Sequence, residues 1–277
     1  MTAAQDLPLL NTLAVGTAGP RIAFLHGLFG QGRNWNQIAK ALSGPAGTDA
    51  RCLLVDLPDH GRSPRSDVFS LEGYADAVAQ TLRTTGADDP WVVVGHSLGG
   101  KTAMILALRH PTLVERLVVV DIAPKHYGSL ERFEGYIHRM QGLPLNELKS
   151  RADAEARFVE SDPNVKAFLL QNLRRDGQGW RWQVNLDLVA RDAARGRESQ
   201  IAGWPDAVDS LAPYRGPVLW IAGGDSPYIQ RDDGERMRRY FPRARLFTIQ
   251  GVGHWVHSDA PDIVVTALRR FVTTPLT

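Results

Sequence analysis

The chain of 277 residues is 43% hydrophobic, ample for a full core, and its 32 Lys and Arg against 30 Asp and Glu leave a net charge of +2. So even a balance argues against a nucleic-acid partner despite a pI near 8.8, and no run approaches the ~20 apolar residues of a membrane span, which argues against stable membrane insertion. Cys52 is the single cysteine, which excludes an internal disulfide and a cysteine metal cluster. Residues 1–10 carry no basic leader ahead of an apolar stretch, so the expected location is cytoplasmic.

In chain order, residues 7–15 have the weak pattern of a short strand or hairpin. Residues 21–25 form a compact apolar strand running into His26-Gly27-Leu28-Phe29-Gly30, and a helix is expected over residues 34–42. Residues 52–56 repeat the strand and hold Cys52 as a buried structural thiol. A polar loop follows at residues 57–63, then an amphipathic helix at 71–84. Next comes Val92-Val93-Val94-Gly95-His96-Ser97-Leu98-Gly99-Gly100, a β-branched run suited to a buried parallel strand, ahead of a helix-forming run at 101–109. Residues 114–120 are a further apolar strand, ending at Asp121-Ile122-Ala123-Pro124. Alternation of this kind predicts a parallel sheet with helices on both faces and a ligand beyond the carboxyl ends of its strands.

From residue 125 to 205 the pattern changes to helical stretches, such as 145–160 and 164–173, without strand signal. This exceeds an ordinary crossover. The expectation is a helical cap at 125–205 inserted into a core made of 1–124 and 206–277. Its Trp180, Trp182, Phe168, Leu169 and Leu170 either line an apolar acyl pocket or hold the cap to itself and to the core. The sheet resumes at 218–222, followed by Gly223-Gly224-Asp225-Ser226-Pro227-Tyr228, a helix at 232–240 and a last strand at 245–249. After Gly251-Val252-Gly253-His254-Trp255-Val256-His257, the final helix is expected to take Ser258 or Asp259 as N-cap with Pro261 in its first turn. Val264, Leu268, Phe271 and Val272 would face the sheet.

A serine on a tight turn between strand and helix, fenced by Gly95 and Gly99, is placed as a nucleophile at the C-terminal edge of the sheet. Its hydroxyl needs a base, and the base needs a carboxylate to fix its tautomer. His254 is the best placed of eight histidines, following a strand within a glycine-flanked loop. His26, His96, His257 and His60 suit packing or loop support. The chain order of serine, acid and histidine admits both Asp121 and Asp225. Asp121 ends the strand after the elbow strand, whereas in the common Gly-x-x-Asp arrangement the acid position falls on Ser226, leaving Asp225 one residue early. The oxyanion hole should use the N–H of Leu98 and one from the loop after residue 25, Leu28 or its neighbour Phe29. Phe29, His96, Trp255, Phe168 and Trp182 are the candidate pocket residues. No metal or organic cofactor is required.

These stretches together resemble the α/β-hydrolase superfamily from about residue 21 to 272. More narrowly the chain is similar to small esterases that include a bacterial acyl-CoA-hydrolysing enzyme and mitochondrial abhydrolase-domain relatives, through residues 26–30, 95–100, 119–124, 168–173, 180–182 and 253–257. The resemblance implies an α/β-hydrolase fold, places the acid in the Asp-Ile-Ala-Pro stretch, here Asp121, and implies a small-molecule ester or thioester substrate. Asp225 departs from the Asn usual in that group, which keeps the second acid open. A serine rather than an aspartate at the elbow argues against dehalogenase and epoxide hydrolase chemistry. The expected activity is that of a serine carboxylesterase, with an acyl-CoA thioesterase as the rival enzyme and a small-molecule receptor on a hydrolase scaffold as the rival of another class.

Overall fold

The apolar runs of the sequence become the middle of one seven-stranded sheet in the computed structural model, which describes residues 8–44, 47–86, 89–128 and 131–275. In chain order the sheet strands are β1 (Thr12–Val15), β2 (Arg21–Leu25), β3 (Arg51–Val55), β4 (Trp91–His96) and β5 (Val114–Val120). After a long insertion the two-stranded ribbon β6 (Leu173–Asp176) and β7 (Gly179–Trp182) precedes the last two sheet strands, β8 (Val218–Gly223) and β9 (Ala244–Ile249). The spatial order is β1-β3-β2-β4-β5-β8-β9, with β1 antiparallel to β3 and every other pair parallel. Only residues 12–15 of the expected 7–15 segment form a strand, and Leu7 lies outside the described residues.

Both faces of the central strands are buried, which is why their sequence is continuously apolar rather than alternating. Ala23, Leu25, Val93, Leu117 and Val119 face one packed layer, while Ile22, Phe24, Val92, Val94, Val118 and Val120 face the other. The first layer is filled by α2 (Leu71–Gly86) and α3 (Leu98–Arg109), the second by α1 (Asn36–Ser43) and the C-terminal α10 (Pro261–Thr273). Val264, Leu268 and Val272 of that last helix are buried against the sheet, with Phe271 partly so, as the periodicity predicts. Among the described residues no helix is long and apolar enough to cross a membrane.

Three local expectations are corrected. The stretch 145–160 is broken into a 3-10 turn at Leu145–Glu147 and the short helix α5 (Arg151–Arg157), because Ser150 caps a new start by accepting from Asp153 N–H. The stretch 164–173 ends early, as α6 (Pro163–Leu170), and Leu173 opens a β-ribbon where no strand was expected. Neither Ser258 nor Asp259 caps the final helix; both sit in the separate turn α9 (Val256–Asp259), and Ala260 precedes Pro261. Two further helices of the insertion, α4 (Glu131–Gln141) and α7 (Leu186–Ala193), complete it, and α8 (Asp233–Tyr240) joins β8 to β9.

Several hydrogen bonds fasten the insertion to the core, those of Asn172, Asn185 and Lys101 among them. Buried Asn172 donates to Phe29 O at 2.8 Å, and Asn185 donates its amide to Asp59 Oδ1 at 2.8 Å and its backbone N–H to Asp59 O. The third is Lys101, 1% exposed in a largely apolar helix, whose ammonium donates to the carbonyls of Ile201, Ala202 and Gly203 at 3.0, 2.8 and 2.6 Å. Burial lowers the Lys101 pKa to about 7, and three carbonyl acceptors satisfy all three of its protons.

Candidate active site

Ser97 is where the chain reverses between β4 and α3, and its backbone is forced to φ 52° and ψ −116°. A non-glycine residue in that region costs about 1–3 kcal/mol. The reversal exists because its flanks lack side chains. A Cβ on Gly95 would lie 2.2 Å from Gly99 O, and one on Gly99 would lie 2.4 Å from Leu25 O. The close contact with Leu25 also brings the loop after β2 against the serine, where a Cβ on Gly27 would lie 3.3 Å from Ser97 Cβ. Leu98 opens α3, so its N–H is among the first-turn amides that have no acceptor within the helix.

The second loop is as constrained as the first. Gly30 N–H donates to Gly27 O, closing a turn in which Phe29 takes φ 62°, and the Asn172 amide donates to the Phe29 carbonyl. His26 stiffens the base of the turn. Its Nε2 accepts from Leu57 N–H at 2.9 Å, so Nδ1 carries the proton and donates to Gly27 O at 2.8 Å.

Asp121 sits just past β5, fully buried with φ 51°. Its Oδ1 accepts from Gly223 N–H at 2.9 Å; its Oδ2 accepts from the Ser226 hydroxyl and from His254 Nδ1 at 2.7 Å. A carboxylate only accepts, so His254 carries its proton on Nδ1 and offers the Nε2 lone pair to the cavity. The imidazole is further held between Tyr228, stacked at 4.0 Å and 24°, and His96, at 4.6 Å; His96 Nε2 donates to His254 O at 2.9 Å. Ser97 Oγ is hydrogen-bonded to no described residue, His254 included. Such a bond commonly tightens only when substrate arrives.

Ser97 and His254 line one cavity of about 620 Å³ between the sheet edge and the insertion. Phe29, His96, Trp255 and Phe168 also line it, with Phe133 and Tyr136 of α4 facing them. Trp182 does not. It is buried inside the insertion against Phe158, with its indole N–H on Met140 O, while Trp180 is tied to Leu148 O and Leu169 and Leu170 are buried. Asp225 is exposed, and its backbone N–H donates to Val252 O. Sequence reasoning missed Ser226, Tyr228, Asn172 and Lys101. Ser226 had a signal, since it occupies the position where Gly-x-x-Asp would put the acid, and here it donates to the acid instead.

The histidines packed around the site are electrically silent. Burial pushes His26, His60 and His96 below the ordinary imidazole range, His26 to about 3 with the neighbouring His60 adding to the shift. The unfolded chain takes up these protons below about pH 6.5 and the folded chain does not, so stability is full above that pH and falls as pH drops toward 3. Each ring contributes up to ~1.4 kcal/mol per pH unit in that window. Urea unfolding at pH 5.0 is expected to give a free energy lower than at pH 7.5 by at least ~2 kcal/mol. Equal values at the two pH settings would mean that these rings titrate freely in the folded protein.

Residues 20–261 match the family model described as alpha/beta hydrolase fold. The chain is 38% identical over 275 residues to the sn-1-specific diacylglycerol lipase ABHD11 of Mus musculus, covering 97% of this chain and 86% of that protein. It is 30% identical to esterase YbfF of Escherichia coli, covering 91% and 92% of the two chains. A solved structure of a marine microorganism esterase superposes with a TM-score of 0.87 at 30% identity, over 96% of this chain and all of that one.

Proposed function

The chain belongs to the α/β hydrolase family, and on that premise we propose that it is a serine carboxylesterase in which Ser97 is the nucleophile, His254 the base and Asp121 the residue that orients it. The observation that carries the reading is the Asp121–His254 hydrogen bond, which turns the free imidazole nitrogen toward the cavity that Ser97 also lines. In the first step Ser97 Oγ attacks the ester carbonyl while His254 Nε2 takes its proton. The tetrahedral oxyanion is held by the N–H groups of Leu98 and Leu28, worth about 3 kcal/mol each. The alkoxy C–O bond breaks as His254 returns the proton to the departing alcohol, and water repeats the sequence in reverse to release the acid. Asp121 stays ionised and stabilises the imidazolium. The segment 125–205 serves as the cap over this chemistry, excluding water so that each of these charges is felt more strongly. The esterase and lipase names of the relatives support a neutral carboxylic ester as substrate.

Labelling with a fluorophosphonate tests the assignment. One covalent adduct is expected, on the peptide that carries Ser97, with activity lost in proportion to labelling. Full labelling on another residue, or complete labelling with undiminished turnover, would remove Ser97 from the mechanism.

A further inference from the structure

Beside the large cleft lies a second, far smaller pocket of about 30 Å³ that also opens on Ser97. Its walls include Leu98, Ile122, Tyr127, Ile201, Ala202 and Tyr228; it shares Leu28, Ser97 and Phe133 with the cleft, and His254 is not among the residues that line it. We propose that this pocket receives the acyl group and the large cleft the alcohol, so that the enzyme prefers short-chain acyl esters, acetyl to butyryl, of bulky alcohols.

The inference rests on the serine esterase reading, and its direction follows from proton delivery. The leaving oxygen takes its proton from His254 and therefore points at that ring. His254 lines the 620 Å³ cleft, so whatever the leaving oxygen carries continues into that space. The carbonyl oxygen is taken by the Leu98 and Leu28 amides. The remaining substituent of the carbonyl carbon, the acyl chain, points away from His254 and meets the small pocket.

Size then sets chain length. At ~10–15 Å³ for each water-sized group, 30 Å³ holds about two or three non-hydrogen atoms, which fits the tail of an acetyl, propionyl or butyryl group. The Ile201–Ala202 wall resists expansion because its backbone is pinned. The carbonyls of Ile201 and Ala202 accept from Lys101, Ala202 O also accepts from Tyr127 N–H, and Ile201 N–H is held by the Asp192 carboxylate. The opposite wall is tied as firmly, since Tyr127 OH accepts from Ala123 N–H and donates to Tyr228 O, each at 2.8 Å. A longer chain would have to break several of these bonds together.

The test measures kcat/KM for p-nitrophenyl acetate, butyrate, hexanoate, octanoate and decanoate on the full chain, with Ser97→Ala alongside and Ile201→Ala as the pocket variant. The expected wild-type optimum is acetate or butyrate, with at least a 100-fold fall by octanoate. In Ile201→Ala, which shortens one wall without removing the backbone carbonyl, the optimum shifts to hexanoate or octanoate. A Ser97-dependent optimum at octanoate or longer in the wild type overturns the pocket assignment and leaves the esterase reading standing. Turnover that persists in Ser97→Ala overturns both.

Discussion

Ser97→Ala is expected to lower kcat on p-nitrophenyl butyrate by about 10⁶-fold, with the thermal midpoint close to that of the wild type. The size of the loss follows from the division of labour at the site. Without Oγ there is no acyl-enzyme, and His254 has no proton to take, so the base and its carboxylate lose their purpose together. What remains is water in a cavity that still binds the ester and still offers the Leu98 and Leu28 amides to an oxyanion. The fold should tolerate the change. Alanine carries the same Cβ as serine into the φ 52° backbone, and the elbow is held by bonds that do not involve Oγ, from Ser97 N–H to Val120 O and from Lys101 N–H to Ser97 O. Steady-state assays at saturating ester, paired with a melting curve, separate lost chemistry from lost folding. A variant that melts normally and turns over within tenfold of wild type would leave the nucleophile elsewhere.

The parts of the molecule legible from sequence are those whose signal is local. β2, β4 and β5 are apolar runs because both their faces are covered, and the glycines at 95 and 99 announce the elbow because a Cβ at either would fall 2.2 to 2.4 Å from a carbonyl oxygen. The insertion was less legible. Its β6–β7 ribbon reads Leu-Arg-Arg-Asp and Gly-Trp-Arg-Trp, too short and in β6 too polar for an alternation to stand out, and its placement comes from long-range bonds such as the Trp180 and Trp182 indoles on the carbonyls of Leu148 and Met140. The same bonds explain why Trp182 points into the insertion rather than the cavity. The roles of Ser226 and Tyr228 are not legible for a related reason. Their importance depends on β8 lying beside β5 in the sheet, which brings the loop after one strand onto the carboxylate after the other. Lys101 does carry a local signal, as a charge in the first turn of a helix whose next charge is Arg109 at its C-terminal end.

Asp121→Asn should lower kcat by about 10⁴-fold, while Asp225→Asn leaves it within twofold of wild type. The contrast is instructive because the two aspartates are close alternatives in the sequence and have opposite surroundings in the fold. Asp121 is fully buried and accepts from Gly223 N–H, Ser226 Oγ and His254 Nδ1, so one carboxylate fixes the tautomer, the ring plane and the position of the base. An asparagine in its place can still accept from Gly223 through its oxygen. Its NH₂, set where Oδ2 was, turns a donor toward His254 Nδ1 and drives the proton onto Nε2, the nitrogen that must be free to accept from Ser97. The imidazolium formed in the transition state also loses the negative charge that faces it. Asp225 stands in solvent, where removing a charge is screened and alters no bond to the base. Raising the pH separates the two causes of failure. The tautomer block in Asp121→Asn is partly relieved at high pH when hydroxide replaces the missing base function, whereas a misfolded variant gains nothing. Equal activity of Asp121→Asn and wild type, or a large loss in Asp225→Asn, would move the acid to the other loop.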